Sequence, residues 1–417
     1  MPHEGSERAT SLLVVGGGIS GMTAAIEASE AGRDVVLVEK APFLGGRVAR
    51  MHQYFPKLCP PSCGLEINFQ RLRKNPRVRV LVDTEVRAVT GGPGAFAVTL
   101  RTAPQVVTPA YGVCGQGVDA APEVPDDFNL GMSTRRALYL PHPMAFPMRY
   151  HIDEGSMTPA QIQAVAAACE PGRIDAQAQE AVFEVRVGAI VLATGWKPYD
   201  AAKLEGLGFG TCPDVISNVM MERLAAVGGP TGGKILRRST GEPARTVAFV
   251  QCAGSRDENH LAYCSGVCCM GSLKQARYVR DKDPDAAVEV FYIDLRAPGR
   301  LEDFLVRVQS DARITLTKGK VAEVTQEPGG KAVVVAEDVI GGGRVRKEFD
   351  LVVLATGIVP NPLGVQLPAG VRADEFGFLR GDGEGVFTAG CARVPADVSA
   401  CVQDATGVAL DALIATA

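Results

Sequence analysis

Leu12-Leu13-Val14-Val15-Gly16-Gly17-Gly18-Ile19-Ser20-Gly21-Met22-Thr23-Ala24-Ala25-Ile26, with Val35-Val36-Leu37-Val38-Glu39-Lys40 behind it, decides the fold. Four apolar residues stopped by glycine read as a buried parallel strand, the small-residue run after Gly18 as a helix, and the second apolar run as a strand ending in an acid. Strand, glycine turn, helix and acid-tipped strand together form a dinucleotide fingerprint. Gly16 gives the tight turn, Gly18 lets backbone N–H groups approach a pyrophosphate, and Gly21 lets the helix pack on the strand. The helix N-terminus favours phosphate charge, and Glu39 stands where ribose hydroxyls are held. Gly45-Gly46-Arg47 follows a few residues on. The competing reading is a glycine turn in an empty α/β domain.

Two later strands are near-copies of one another. Val187-Gly188-Ala189-Ile190-Val191-Leu192-Ala193-Thr194-Gly195 and Asp350-Leu351-Val352-Val353-Leu354-Ala355-Thr356-Gly357 both run apolar into Ala-Thr-Gly, where small residues let backbone approach a ligand or a crossing chain. A further strand, Gly385-Val386-Phe387-Thr388-Ala389-Gly390-Cys391, also ends in glycine. This order resembles the two-dinucleotide-domain flavoproteins of the thioredoxin-reductase and glutathione-reductase type. The resemblance implies an α/β fold of two such domains, with FAD on the first fingerprint and the strand ending in Thr388-Ala389-Gly390 closing over the flavin. In that group an acid follows the last glycine and binds the ribityl chain; here the residue is Cys391.

At 417 residues the chain has room for two or three domains with sizeable cores. Hydrophobic residues make up 46% and charged residues 22%, and a net charge of −4 leaves no basic footprint for nucleic acid. No apolar run approaches a membrane span of about 20 residues, and no charged-then-apolar leader precedes the first strand. A cytoplasmic location follows as the expectation, with docking on a membrane partner left open. Eleven cysteines without an export signal point to metal or redox chemistry rather than structural disulfides.

Punctuation divides the chain into a first part of the dinucleotide domain at 1–101, an insertion at 102–180, a return strand at 181–200, a second α/β domain at 201–348, and a last part of the first domain at 349–417. The insertion is Pro-rich, with an alanine-rich helix opened by Thr158-Pro159-Ala160. The flanking Phe96-Ala97-Val98-Thr99-Leu100 and Val182-Phe183-Glu184-Val185-Arg186 alternate and are expected to pair.

The second domain carries no nucleotide fingerprint. After the strand Thr246-Val247-Ala248-Phe249-Val250, where a glycine turn is expected, stands Gln251-Cys252-Ala253-Gly254-Ser255-Arg256-Asp257-Glu258, then Tyr263-Cys264-Ser265-Gly266-Val267-Cys268-Cys269-Met270-Gly271-Ser272-Leu273-Lys274-Gln275-Ala276. A pyrophosphate has no cradle there, so nicotinamide reduction of the isolated chain is not expected. The four cysteines suit a [4Fe–4S] cluster, and a helix start beside them favours negative sulfur. Zinc also takes four thiolates, although usually as two spaced pairs, which the adjacent Cys268-Cys269 fits poorly. A redox dithiol and inert buried thiols stay open as well.

Gln251 to Asp257, Tyr263-Cys264-Ser265, Cys268-Cys269-Met270 and Lys274-Gln275-Ala276 together resemble the signature of the flavoprotein A subunits of heterodisulfide reductase. Gly390-Cys391-Ala392-Arg393-Val394-Pro395-Ala396-Asp397 and Arg136-Ala137-Leu138-Tyr139-Leu140-Pro141 resemble other segments of that family, so the likeness spans nearly the whole chain. The archetypal member carries an inserted ferredoxin module and a further ferredoxin domain. The insertion here has only Cys114 and Cys169, too few for a cubane. Such a short form resembles the A subunits of the quinone-interacting membrane-bound oxidoreductase complexes of sulfate reducers. These work with a larger A-like flavin and iron–sulfur subunit, the B component, and with a membrane haem subunit, the C component, linking the quinone pool to adenylylsulfate reductase.

The resemblance implies FAD contacts from Gly16, Gly18, Ile19, Ser20, Gly21, Glu39, Lys40, Gly46, Arg47, Thr194, Gly195, Gly390, Cys391 and Val398. It also implies that Cys252, Cys264, Cys268 and Cys269 ligate a cluster, and that Lys274 serves catalysis near the flavin ring, against the plain alternative of a solvated helix lysine. Cys59 and Cys63 match a cysteine-bearing loop of the family; a disulfide, a ligand pair shared with another subunit, and loop packing stay open. The expected activity is flavin-based electron relay within a complex peripheral to the inner face of the membrane. Two alternatives are an A-type member of a soluble heterodisulfide reductase-like complex and a flavin-bearing scaffold.

Overall fold

The computed structural model describes residues 12–112, 115–328, 330–364, 371–381 and 385–416, which leaves Cys114 outside the described residues. The chain forms two compact units: Met1–Trp196 with Pro360–Val394 and Val398–Ala417, and Lys197–Val359 with Pro395–Asp397.

The first unit is built on a five-stranded parallel sheet in the order Val386–Thr388, Ala189–Leu192, Leu12–Val15, Val35–Val38, Val78–Leu81. The central strand is apolar at every position because both of its faces are covered. Leu12 and Val14 pack beneath Met22, Ala25 and Ile26 of the helix Ile19–Glu30 and against Ala405, Val408 and Ala409 of the last helix, Val398–Ala415. Leu13 and Val15 face Val86, Phe96, Val98 and Leu100 on the other side. Those residues lie on a three-stranded antiparallel sheet in which Ala95–Thr102 pairs with Ala181–Val187, as the alternation predicts.

Residues 102–180 carry a small core of their own, with Val106, Tyr111, Val124, Leu138 and Val165 buried together. Their helix, Pro159–Ala167, opens on Thr158 in a capping box with Gln161.

The last helix meets the length and composition of a membrane span, with a mean hydropathy of 1.3 over 18 residues, which corrects the reading that no apolar run comes near one. Its buried residues, Cys401, Ala405, Val408, Ala409 and Ala412, fall on one stripe, the pattern of a helix packed on a core.

The second unit sets Val215–Ser217, Leu351–Thr356, Thr246–Ala253, Ala287–Tyr292 and Ile314–Lys318 side by side, all parallel; its last four strands repeat the order of the first sheet, whereas its edge strand Val215–Ser217 comes first in the chain where Val386–Thr388 comes last. A three-stranded antiparallel sheet, Val321–Gln326, Ala332–Asp338 and Gly343–Phe349, packs on it through Val324, Val334 and Phe349. This placement corrects the boundary at residue 349. Leu351–Thr356 does not return to the first domain; it lies between Val215–Ser217 and Thr246–Ala253, with Leu351 paired to Val247 and Val353 to Phe249. Asp350 sets the register, since its carboxylate accepts hydrogen bonds from the backbone N–H groups of Arg245 and Thr246 and from the Thr246 hydroxyl. The chain crosses back to the first unit only at Pro360.

Candidate functional site

In the first unit the glycines divide by what a side chain would meet. At Gly16, φ is +109° and a Cβ would fall 2.2 Å from the Ala193 carbonyl oxygen. At Gly21 it would fall 1.8 Å from the Gly16 carbonyl oxygen. These two glycines are required by the protein's own packing. At Gly18, which caps the helix Ile19–Glu30, the same direction is open space. That is the side from which a pyrophosphate meets the turn, and the opening fits a dinucleotide. Ile19 and Ser20 begin the helix, with Ser20 buried.

Glu39 is the first residue after its strand, and its carboxylate accepts the Gly17 N–H at 2.6 Å and the Ala41 N–H at 2.8 Å. Burial raises its pKa, and the backbone hydrogen bonds oppose that rise. Each oxygen retains a second acceptor direction for a ribose hydroxyl. Gly45 donates to the Gly17 carbonyl, and at Gly46, with φ +52°, a Cβ would meet the Gly18 Cα at 3.0 Å, so this loop walls the turn. Arg47 is lowered to about 10 by burial and then by Arg50. Its Nε donates to the Trp196 carbonyl and its guanidinium lies 5.5 Å from that indole, with no carboxylate partner among the described residues. A half-buried cation of this kind suits a nearby anion. Lys40 differs: its side chain is 84% exposed and reaches Glu85.

Two residues that sequence reasoning missed fix the remaining walls. Asn361 donates to the Thr194 carbonyl at 2.9 Å through its amide and to the Gly195 carbonyl through its backbone N–H, clamping the first Ala-Thr-Gly turn. Asp404 accepts the Gly390 N–H at 2.7 Å and pairs with Arg393 at 2.8 Å. Gly390, with φ +61°, presses on Ser20, where a Cβ would stand 2.1 Å from the hydroxyl oxygen. Cys391 is buried in the turn after it, and Val398 opens the last helix. Neither Asn361 nor Asp404 lies in a recognisable motif.

In the second unit the place of the glycine turn is taken by a cysteine loop. Cys252 ends the strand Thr246–Ala253 in left-handed backbone, φ +54°, and Cys268 is the first residue of the helix Cys268–Lys282. A non-glycine residue held there costs about 1–3 kcal/mol and persists where surrounding structure over-determines it. The loop is pinned to the second Ala-Thr-Gly: Ser265 Oγ accepts the Ile358 N–H, and Tyr263 donates to the Ile358 carbonyl. A Cβ on Gly357 would strike the Ser255 and Ser265 hydroxyls at 2.3 and 2.8 Å.

Cys268 Sγ faces the Thr356 carbonyl at 3.7 Å, Cys269 Sγ the Asp294 carbonyl at 3.4 Å, and Cys264 Sγ the Gly266 N–H at 3.4 Å. Burial pushes the Cys252, Cys268 and Cys269 thiols up, and their neighbours among the four push them further. Cys252, Cys268 and Cys269, each raised by burial and by neighbouring sulfur, need a cationic centre to be thiolates together. The donor chemistry fits a cluster or zinc. No group of three or more metal-ligating side chains stands in metal-holding geometry among the described residues.

Lys274, two turns into that helix, is buried and forms an ion pair with Glu222 at 3.0 Å. Gln275 and Tyr278 donate to the same carboxylate. This environment is not that of a solvated helix lysine. Cys59 Sγ donates to the Lys57 carbonyl at 3.9 Å, and Cys63 stands exposed in the first turn of the helix Ser62–Lys74.

Residues 11–59 match the family model of FAD dependent oxidoreductases. The chain is 34% identical, over 97% of its length, to the second iron–sulfur A subunit of the CoB–CoM heterodisulfide reductase of Methanopyrus kandleri, covering 64% of that relative. It is 34% identical, again over 97% of its length, to the A subunit of the ferredoxin/F420H2-dependent CoB–CoM heterodisulfide reductase of Methanosarcina acetivorans, covering 53% of it. The chain thus spans somewhat under two thirds of these relatives. In fold it is similar to the thioredoxin reductase of T. acidophilum, with a TM-score of 0.53 at 14% identity, over 98% of this chain and 99% of that one. Fold and fingerprint define an FAD-dependent oxidoreductase of the two-dinucleotide-domain class. Within it, the chain is similar over nearly its whole length to the flavoprotein A subunits of heterodisulfide reductase.

Proposed function

We propose that the chain is an electron-transfer subunit in which FAD on the first unit exchanges electrons with a [4Fe–4S] cluster held by Cys252, Cys264, Cys268 and Cys269 of the second. The observation that carries this reading is the substitution of a pinned, four-cysteine loop for the glycine turn at the carboxyl end of the second unit's central strand. Ligands of open α/β sheets bind at that position. Bound FAD supplies one- and two-electron exchange, and a bound cluster supplies one-electron transfer.

The chain's own residues do the rest. Gly18 leaves the pyrophosphate room, Glu39 orients a ribose, Arg47 offsets phosphate charge, and Asn361 and Asp404 hold the walls in place. In the second unit, Ser265 and Tyr263 keep the cysteine loop closed on the strand end, and the helix N-terminus at Cys268 favours negative sulfur. Glu222 fixes the Lys274 ammonium by an ion pair at 3.0 Å, and such an ammonium would stabilise a reduced anionic flavin.

The larger assembly is part of the proposal. The insertion, whose only cysteines are Cys114 and Cys169, supports a place beside a larger A-like flavin and iron–sulfur partner and a membrane haem partner, at the inner face of the membrane, between a quinone pool and adenylylsulfate reductase. Anaerobic purification with associated subunits, followed by stopped-flow mixing with a menaquinol analogue, tests it. Flavin bleaching in the complex, lost in a Cys268→Ala complex that still assembles, is the expected result. Intact assembly with a flavin that no donor or acceptor reduces or oxidises would leave a scaffold instead.

A further inference from the structure

Cys391, one of the residues the resemblance sets against FAD, meets a second cysteine, Cys401, inside the first unit. Cys391 lies in the turn Gly390–Ala392 and Cys401 in the first turns of the helix Val398–Ala415, and their sulfurs are 3.7 Å apart. Both are buried, at 5% and 4% exposure. The turn is already held to the helix by Asp404, through Gly390 N–H and Arg393. It also abuts the fingerprint, since a Cβ on Gly390 would stand 2.1 Å from Ser20 Oγ and 3.5 Å from Cys401 Sγ. The two thiols are therefore placed by a rigid scaffold, in van der Waals contact, at the wall of the dinucleotide cradle.

We propose that Cys391 and Cys401 form a thiol/disulfide couple, a second two-electron centre in the flavin-binding unit that exchanges with low-molecular-weight disulfides. Bond formation needs the sulfurs to close from 3.7 Å to about 2.05 Å, a movement within the reach of side-chain rotation on a short turn. One cysteine thiolate attacks glutathione disulfide and expels a glutathione thiolate. The other then attacks the mixed disulfide and expels the second. One S–S bond is broken and one formed, and the two electrons and two protons lost by the pair end on two glutathione thiols. Entry of the first glutathione requires a local opening of the turn, so exchange is slow and selective for a partner that can wait for it. The closed form ties the turn covalently to the helix beside Ser20, and the couple stands independently of the metal content of the cysteine loop.

The test is a redox titration of the flavin-loaded full chain. The protein is equilibrated anaerobically in buffers of graded glutathione to glutathione disulfide ratio, quenched in acid, alkylated in denaturant and read by peptide mass spectrometry. A Cys391–Cys401 cross-link that rises as a two-electron transition is the expected result, while Cys212, buried beside Thr211, stays alkylated as a single thiol. Cys401→Ser should remove the cross-link completely. A repeat in sub-denaturing urea separates slow access from the lack of a couple. Two thiols at every ratio in both conditions, or Cys391 bonded to a different cysteine, would overturn the proposal.

Discussion

The two units set the same order of four parallel strands around different turns. In the first, Leu12–Val15 leads through residues 16–18 into the helix Ile19–Glu30, with Ala189–Leu192 and its Ala-Thr-Gly alongside. In the second, Thr246–Ala253 leads through residues 254–267 into the helix Cys268–Lys282, with Leu351–Thr356 and its Ala-Thr-Gly alongside. In each, the neighbouring Ala-Thr-Gly presses on the turn: Ala193 on Gly16 in one, Gly357 on Ser255 and Ser265 in the other. An acid follows the next strand in both: the Glu39 carboxylate accepts the Gly17 N–H in one, and the Asp294 carboxylate pairs with Arg256 of the cysteine loop at 2.9 Å in the other. The strand ends are thus one kind of platform with different turn chemistry, and the proposed function assigns phosphate to the first turn and a cationic centre on sulfur to the second.

The sharpest way to break this comparison is Gly18→Val. Its side chain enters space the protein leaves open, so the chain should fold while FAD affinity falls by about a hundredfold or more, roughly 2.7 kcal/mol. Equilibrium dialysis of FAD measures it, with iron content as the control for the second unit. A variant that purifies with stoichiometric FAD would remove the turn from the site. Cys268→Ala is the reciprocal change: the metal centre should be lost or converted while FAD stays at one per chain, read by iron analysis and flavin absorbance.

Glu39→Ala sharpens the first half further. It strips the acceptor from the Gly17 and Ala41 N–H groups, and FAD binding should weaken about tenfold, or ~1.4 kcal/mol, by the same dialysis. Ser265→Ala touches only the pinning of the cysteine loop. Leaving the Ile358 N–H without its buried acceptor should lower Tm by about 2–4 °C, seen by calorimetry, with FAD retention unchanged. The smallest expected effect is none: NADH or NADPH mixed anaerobically with the isolated chain should leave the flavin oxidised, since the second unit offers no glycine cradle. Rapid stoichiometric bleaching would return the chain to the pyridine-nucleotide reductases.

The glycine turn, its acid and the cysteine loop were legible in the sequence because their chemistry is local. Turn, helix and ligand spacing all lie within a few tens of residues, and buried parallel strands read as unbroken apolar runs. The domain boundary was not legible. Asp350 to Gly357 is a near-copy of a first-unit strand, and only its pairing with Val247 and Phe249, set by Asp350 on Thr246, assigns it to the second sheet. The same limit hid Asn361, which reaches Thr194 across 167 positions. It hid Glu222 as well, whose pairing turns Lys274 from a surface lysine into a buried cation. Cys401 gave no sign of Cys391, because contact between a turn and a helix face depends on how the last helix packs on the fingerprint helix.

The central claim is that the cysteine loop has replaced a phosphate cradle with a metal–sulfur site. Metal and flavin analysis of anaerobically purified wild-type protein, with Mössbauer spectroscopy of the iron, tests it most directly. The account predicts one FAD and four irons per chain in a cubane signal that Cys268→Ala abolishes or converts. Full flavin with one zinc and no iron, or full flavin with neither metal and titratable thiols at Cys252, Cys264, Cys268 and Cys269, would contradict it.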